Sequence, residues 1–246
     1  MPIIYLSPST QEYNPYVNGG NEEYYMNLIA DAMEPYLQSS GIRYVRNNKN
    51  MSAQQSINAS NSGRYDLHVA LHSNAAPDGM YGTLRGIDVY YARGSSNGRR
   101  AANIFVQNLK NIYPNPSLVR ALQTTDIGEV VKTRATAVFL EMGYHDNALD
   151  ANWIKNNIQT IARNLVQSIT QYFGLPFIEA TPAREAIVRV SYGNLNLRSK
   201  PDLTSSVIAR MPNGTRVTVL GEWQGWDVVR YGSNVGYSDS RYLMLL

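Results

Sequence analysis

The spacing of apolar and polar residues changes character near residue 176. Upstream, short apolar runs alternate with longer stretches of helical period. Residues 3–6 predict a short buried strand. Residues 22–38 predict a helix with Met26, Ile29, Met33 and Leu37 on one stripe and Gly41 ending it. Residues 42–45 read as a strand, and Ser52 caps a helix reaching Ser60. Strands are expected at 67–72, 86–91 and 137–140, with a helix over 99–112. The last helix of this half spans 148–173. There Trp153, Ile154, Ile158, Ile161, Leu165, Ile169 and Phe173 recur at helical period, with Asp150 as N-cap and Gly174 as stop. Strands separated by helices predict an α/β domain, a mostly parallel sheet flanked by helices on both faces. Ligands of such sheets bind beyond the carboxyl ends of the strands, so a site belongs after Leu6, Leu71 and Leu140.

Residues 176–186, with Pro176 and Pro182, read as a linker. Beyond Ile187 the period shortens: runs at 188–190, 194–198, 207–211, 216–220 and 226–231 are separated by Gly or Pro turns. That rhythm predicts a small all-β barrel. The expected organisation is a domain over 1–175, the linker, and a second domain over 187–246.

Composition narrows the classes. The 246 residues include no cysteine, which excludes a disulfide scaffold, a thiol nucleophile and a Cys-based zinc finger. No apolar run approaches the ~20 residues needed to cross a bilayer. The start, MPIIYLSPST, lacks the basic region and cleavage site of a secretory signal peptide. The chain holds 24 Asn and 18 Tyr against 4 Phe, and aromatic surface with a polar tip suits half-wet interfaces, carbohydrate among them. Charge cancels over residues 1–186, so the net +3 lies wholly in the last quarter, with seven Lys/Arg against four acids. Its scatter argues against nucleic acid and is compatible with an anionic polymer.

The three strand ends carry the candidate chemistry. The first leads into Ser7-Pro8-Ser9-Thr10-Gln11 and a glycine-bearing loop that reaches Glu22-Glu23 at a helix start. The second leads into His72-Ser73-Asn74-Ala75, and the third into Glu141-Met142-Gly143-Tyr144. A histidine, a helix-start glutamate and a second glutamate on one rim suit a divalent zinc ion with a general base beside it. The unligated carboxylate would take a proton from the zinc-activated water and pass it to a leaving amine.

On these motifs residues 1–175 resemble the zinc-dependent N-acetylmuramoyl-L-alanine amidases of the family-3 type. Members of that family show a helix opening EKxxN, a strand ending SxHxNA and a strand ending ExGFxSN. This chain reads Glu23-Tyr24-Tyr25-Met26-Asn27, then Ala70-Leu71-His72-Ser73-Asn74-Ala75, then Glu141-Met142-Gly143-Tyr144-His145-Asp146-Asn147. The resemblance implies Glu23 and His72 as zinc ligands, Glu141 as the catalytic carboxylate and one zinc per chain. It implies a peptidoglycan hydrolase that cleaves the amide between N-acetylmuramic acid and the first L-alanine of the stem peptide. The family includes autolysins, sporulation enzymes and phage endolysins. Without a signal peptide, a lysin released through a pore or a mother-cell lytic enzyme is expected, acting at the bacterial cell wall.

One departure concerns the metal. The family opens with DPGHGG, whose His is a ligand, where this chain has Ser7-Pro8-Ser9-Thr10-Gln11. Either Gln11, or else Thr10 or Glu12, supplies an oxygen ligand, or the domain has lost zinc and only binds peptidoglycan. Of the remaining residues, His68 reads as a core histidine, His145 as a loop residue or else a replacement for the missing ligand or a substrate contact, and Glu22 as a solvated first-turn acid. Arg134 is a candidate grip for a substrate carboxylate or else a surface ion pair. Asn74 and Asn147 shape the rim, with substrate contact as a further role. Residues 187–246 resemble bacterial SH3-like wall-binding (SH3b) domains, on Leu195-Asn196-Leu197-Arg198-Ser199-Lys200-Pro201, Gly225-Trp226, Gly236-Tyr237 and Arg241-Tyr242-Leu243. Lys200 and Tyr237 stand where relatives usually have Gly and Trp. Trp223, Trp226, Tyr231, Tyr237 and Tyr242 are candidates for a peptide or glycan groove, with Trp226 as core.

Overall fold

The computed structural model describes residues 1–246. The first sheet is built from β1 (Ile3–Pro8), β2 (Arg43–Arg46), β3 (Leu67–Asn74), β4 (Ile87–Ala92), β5 (Val119–Thr124) and β6 (Ala137–Tyr144), in the order β2-β1-β3-β6-β4-β5. The pairs β1/β3, β3/β6 and β4/β5 run parallel, and β4 against β6 is antiparallel. Helices α1 (Glu22–Ser39), α2 (Ala53–Ser62), α3 (Ser96–Leu109), α4 (Gly128–Val131), α5 (Ala148–Asn156) and α6 (Ile158–Phe173) flank it, giving the expected α/β layers. The inner strands are apolar and buried almost end to end, as strands covered on both faces must be. No helix is long and apolar enough to cross a membrane.

Three elements differ from expectation. The helix expected over 148–173 is two helices, broken at Asn157, whose side chain donates to the Trp153 carbonyl. Its cap is Asn147, which accepts from the Leu149 and Asp150 amides. Asp150 instead turns inward, fully buried, and accepts from the Gly86 and Tyr144 amides and the Tyr113 hydroxyl. Strand β5 and the single-turn α4 have no counterpart in the apolar pattern: β5 alternates irregularly between buried and exposed positions, and four residues are too few to show a period. Gly174 does end α6, with φ +64°.

The second sheet is antiparallel throughout. It comprises β7 (Arg184–Val188), β8 (Asn194–Arg198), β9 (Val207–Pro212), β10 (Arg216–Trp223), β11 (Trp226–Tyr231), β12 (Asn234–Asp239) and β13 (Leu243–Leu245), in the order β13-β7-β10-β11-β12-β8-β9. Its core is Ala186, Val188, Leu195, Leu197, Met211, Val217, Val219 and Val229. Strand β7 begins inside the segment expected to be linker, and Ile178 there is buried, its amide donating to Ser40 Oγ. Two compact units result: Ile3–Met33 with Tyr44–Tyr172, and Met1–Pro2 with Glu34–Arg43 and Phe173–Leu246.

Candidate active site

The register of β3 and β6 sets the centre. His72 is the parallel partner of Glu141, so their side chains leave the same face of neighbouring strands, about 4.8 Å apart at the backbone. Two residues earlier on that face are Ala70 and Phe139, which form a small apolar cluster with Val130 of α4. The Phe139 ring stacks on the His72 imidazole at 4.2 Å between centroids. That floor fixes the plane of the imidazole.

Helix α1 brings the next carboxylate, and it is Glu22 rather than Glu23. Glu22 is 1% exposed, with Oε1 at 2.8 Å from His72 Nδ1, while Oε2 accepts from Asn14 Nδ2 at 2.6 Å. Glu23 lies ~100° further round the helix and is only half-buried, and its carboxylate does not reach His72. The period of α1 explains this: Glu22 stands four residues before Met26, the first member of the buried stripe, whereas Glu23 stands four before Asn27. The solvated role expected of Glu22 is therefore corrected. Burial opposes charge on Glu22, yet hydrogen bonds to His72, Asn14 and Ser9 hold its carboxyl below the usual carboxylate range.

A third acid was not anticipated. Glu129 of α4 is buried, with Oε1 at 3.3 Å from His72 Nε2, while Oε2 meets His68 Nε2 at 2.9 Å and accepts from Ser7 Oγ at 2.6 Å. His72 is thus bracketed by carboxylates on both ring nitrogens. Burial disfavours its charge, but the bonds to Glu129 and Glu22 outweigh this and raise the metal-free imidazolium to about 10. The same contacts hold Glu129 well below the usual carboxylate range, against its desolvation. His68 is fully buried, and its other nitrogen meets Ser60 Oγ at 2.9 Å.

Glu141 is different. Its Oε2 is buried and has no hydrogen-bond partner. Burial raises its carboxyl to about 7; the nearby His72 charge lowers it, and Glu22 and Asp88 push it up further. Asp88 is its antiparallel partner on β4, held by Arg120 through two hydrogen bonds. A carboxyl that is desolvated, unsatisfied and poised near neutrality suits proton transfer.

The remaining predicted residues separate. Gln11 does reach the centre: its Nε2 lies 3.4 Å from His72 Nδ1, while its Oε1 accepts from Asn14. Asn74 accepts from the Ala75 amide through its side chain and from the His145 amide through its carbonyl, shaping the rim. His145 is buried, its Nδ1 committed to Ser73 and its ring stacked on Tyr16. Arg134 precedes the amino end of β6, the far end of the strand from Glu141, and donates to the Asn61 carbonyl. A substrate grip there is excluded by position. Tyr237 is fully buried in the second sheet, its hydroxyl donating to the Ser40 carbonyl, so it presents nothing to a ligand. Trp226 and Tyr242, by contrast, line an open groove of ≈ 360 Å³ with Tyr192, Asn196, Arg198 and Arg241.

Glu22, His72 and Gln11 are the residues that could hold a cation. No three carboxylate or imidazole side chains share metal-binding geometry, so the set is two strong donors and an amide.

Taken together, the sheet and this rim define an α/β hydrolytic domain joined to a small antiparallel β module. Residues 9–171, more than half of the chain, match the N-acetylmuramoyl-L-alanine amidase family model, and residues 193–244 match the bacterial SH3 domain. The chain belongs to the N-acetylmuramoyl-L-alanine amidase family, and with it to the hydrolases of linear amides. No protein of curated function matches it in sequence. Similar solved structures include the amidase Ami1 of Mycobacterium smegmatis, at 18% identity and a TM-score of 0.60, covering 70% of this chain and 97% of that one. The catalytic domain of CwlV, an N-acetylmuramoyl-L-alanine amidase from Bacillus (Paenibacillus) polymyxa var. colistinus, has 18% identity and a TM-score of 0.60, covering 72% and 100%. The catalytic domain of the CD27L endolysin targeting Clostridia difficile has 20% identity and a TM-score of 0.57, covering 70% and 98%. At these identities the likeness is one of fold.

Proposed function

We propose that this peptidoglycan amidase cleaves the bond between N-acetylmuramic acid and L-alanine of the stem peptide, using Glu141 as proton carrier and Glu22, His72 and Gln11 to hold a zinc ion. The observation that carries the reading is the pairing of His72 with Glu141 across β3 and β6, with Glu141 Oε2 buried and unpartnered.

The residues fit the metal in chemistry. His72 turns Nε2 to a carboxylate and Nδ1 to the rim, the arrangement in which an imidazole donates one N–H and offers the other nitrogen as ligand. Glu22 Oε1 supplies an anionic oxygen beside it. Gln11 must turn its amide over to offer oxygen, because its nitrogen now faces His72. An amide oxygen is a weaker donor than the imidazole that relatives place in this loop, so the ion would be held less tightly than in a His-Glu-His site. Bound there, zinc would supply Lewis acidity toward the scissile carbonyl and the attacking water.

The protein's own groups do the rest. Glu141, ionised above about pH 7, accepts a proton from the attacking water as the new C–O bond forms. It returns that proton to the L-alanine nitrogen as the C–N bond to the muramoyl carbonyl breaks, freeing the L-alanine amine and leaving the muramoyl carboxylic acid. Phe139 beneath His72 and the apolar run before Glu141 limit water around both. In the β module, the groove lined by Trp226 and Tyr242 offers aromatic faces, with Arg198 as its cation and Arg241 paired to Asp239, to the wall polymer and raises the local concentration of enzyme on it.

Glu141→Gln keeps the shape of the side chain and removes the proton acceptor. Zinc content should be retained, and release of new amino groups from purified peptidoglycan, without new reducing ends, should fall by about 10²–10⁴. Near-native turnover of this variant would give the proton transfer to another group. Absence of amine release by the unmodified protein, with wall binding intact, would leave a binding protein.

A further inference from the structure

The carboxylate of Glu129 carries no proton in the reaction above and is buried, yet it is held from several sides. It sits on a one-turn helix, buried, and meets donors from two neighbouring strands: His72 and His68 of β3 and Ser7 of β1. Ser7 Oγ can give its proton to Glu129 because it accepts in turn from Asn47 Nδ2 at 3.3 Å. Asn47 is itself buried and donates to the Pro8 carbonyl and lies 3.1 Å from Ser56 Oγ. Such a cage fixes the carboxylate in position and orientation, since every one of its donors is anchored to the sheet.

An ionised carboxylate can only accept, so the ring nitrogens facing it must both carry hydrogen. For His68 this completes a closed pair of bonds, with Ser60 on the other nitrogen, and leaves nothing over. For His72 it assigns the hydrogen of Nε2; in the metal-free chain Nδ1, which faces the ionised Glu22, carries a hydrogen as well, and a bound cation would replace that one. Stacking on Phe139 sets the plane of the ring, but a stacked ring can still flip by half a turn and exchange its two edges. The bonds to Glu22 at Nδ1 and to Glu129 at Nε2 together remove that freedom, and only the second would persist once Nδ1 and Glu22 held a cation.

We propose that Glu129 is a positioning residue that locks the His72 imidazole by its Nε2–H and so presents Nδ1 alone to the metal-binding rim. This rests on the zinc reading for its consequence, though the lock itself is a property of the metal-free chain. Serving His68 and His72 at once, Glu129 also ties two positions of one strand to the helix α4 that floors the site.

The test compares Glu129→Ala with Glu129→Gln. Glutamine can still accept from His72 Nε2–H, while its amide donates to a His68 that has changed tautomer, so it is the conservative variant and should fold. In the unmodified metal-free protein the His72 Nε2 proton should be visible by ¹⁵N-edited NMR and slow to exchange. It should be retained in Glu129→Gln and lost in Glu129→Ala. Zinc affinity, read by competition with a chromogenic chelator, should fall about 10–100-fold in Glu129→Ala and much less in Glu129→Gln. An unchanged His72 proton in a folded Glu129→Ala overturns the proposal, as does full loss of that proton in Glu129→Gln with the fold intact. If Glu129→Ala fails to fold, retention or loss of the proton in Glu129→Gln decides. A failed zinc reading is separately visible as an unmodified protein that holds no zinc, and the imidazole proton alone then tests the lock.

Discussion

The two acids that open α1 allow a sharp test, because Glu22 and Glu23 are adjacent in sequence and opposite in environment. Glu22→Gln removes one of the two charges that bracket His72 and keeps the size of the side chain. Removing one partner of a buried ion pair costs about 3–5 kcal/mol. His72 keeps Glu129, and Gln at 22 can still exchange hydrogen bonds with Asn14, so the lower end of that range applies, about 3 kcal/mol. A further ~0.5 kcal/mol comes from losing a negative charge in the first turn of the helix. Glu23→Gln changes a half-buried side chain with no ion-pair partner at the centre, so its effect should lie within about 0.5 kcal/mol plus the same small helix contribution. Urea denaturation of both variants with chelator present measures the difference, provided the denaturant slope is unchanged. A second measurement, zinc bound at equilibrium after dialysis, should show a large loss for Glu22→Gln and none for Glu23→Gln. If Glu23→Gln loses zinc while Glu22→Gln keeps it, the helix must rotate by about one residue when the metal binds, and the phase set by Met26 does not choose the ligand.

Acid and base should act on the metal-free protein in opposite directions. Glu22 and Glu129 are held below their ordinary range, so their stabilisation is present above about pH 4.5 and lost as pH falls. His72 is raised to about 10, so its contribution is complete below about pH 6.5 and lost as pH rises toward 10. Unfolding free energy in chelator should therefore peak between these limits, and zinc, which needs a neutral imidazole, should shift the peak upward; a metal-free protein equally stable at pH 6 and pH 9.5 would contradict the bracketed His72. In the β module, Trp226→Ala should weaken sedimentation with purified peptidoglycan while leaving amine release from soluble muropeptides unchanged. Tyr237→Phe should cost about 1 kcal/mol of stability through the lost bond to Ser40 and leave wall binding intact. The reverse pattern would restore Tyr237 to the binding surface.

What the sequence reveals about this protein follows from which interactions are local. Strands β1, β3 and β6 are legible because burial on both faces demands unbroken apolar runs, and those runs end at the residues of the candidate site. His72 and Glu141 are found by that logic alone, since parallel strands present their carboxyl ends on one rim. Strand β5 is not legible, because four of its six positions are partly or fully exposed and nothing obliges them to be apolar. The choice between Glu22 and Glu23 was encoded, but in the period of the helix rather than in the spacing to Asn27. A motif counts residues along the chain, whereas burial counts them around the axis, and here the two counts differ by one. Glu129 has no such local signal. It stands in a four-residue helix, and its meaning comes from residues 57 and 61 positions earlier in the chain that the sheet carries to it. Tyr237 shows the converse: an aromatic position aligned with a bacterial SH3 motif is claimed instead by a carbonyl at Ser40, 197 residues away. Candidate site residues that follow a strand's apolar run are thus easier to read than the residues packed around them, because the first answer to the strand's own pattern and the second only to the assembled sheet.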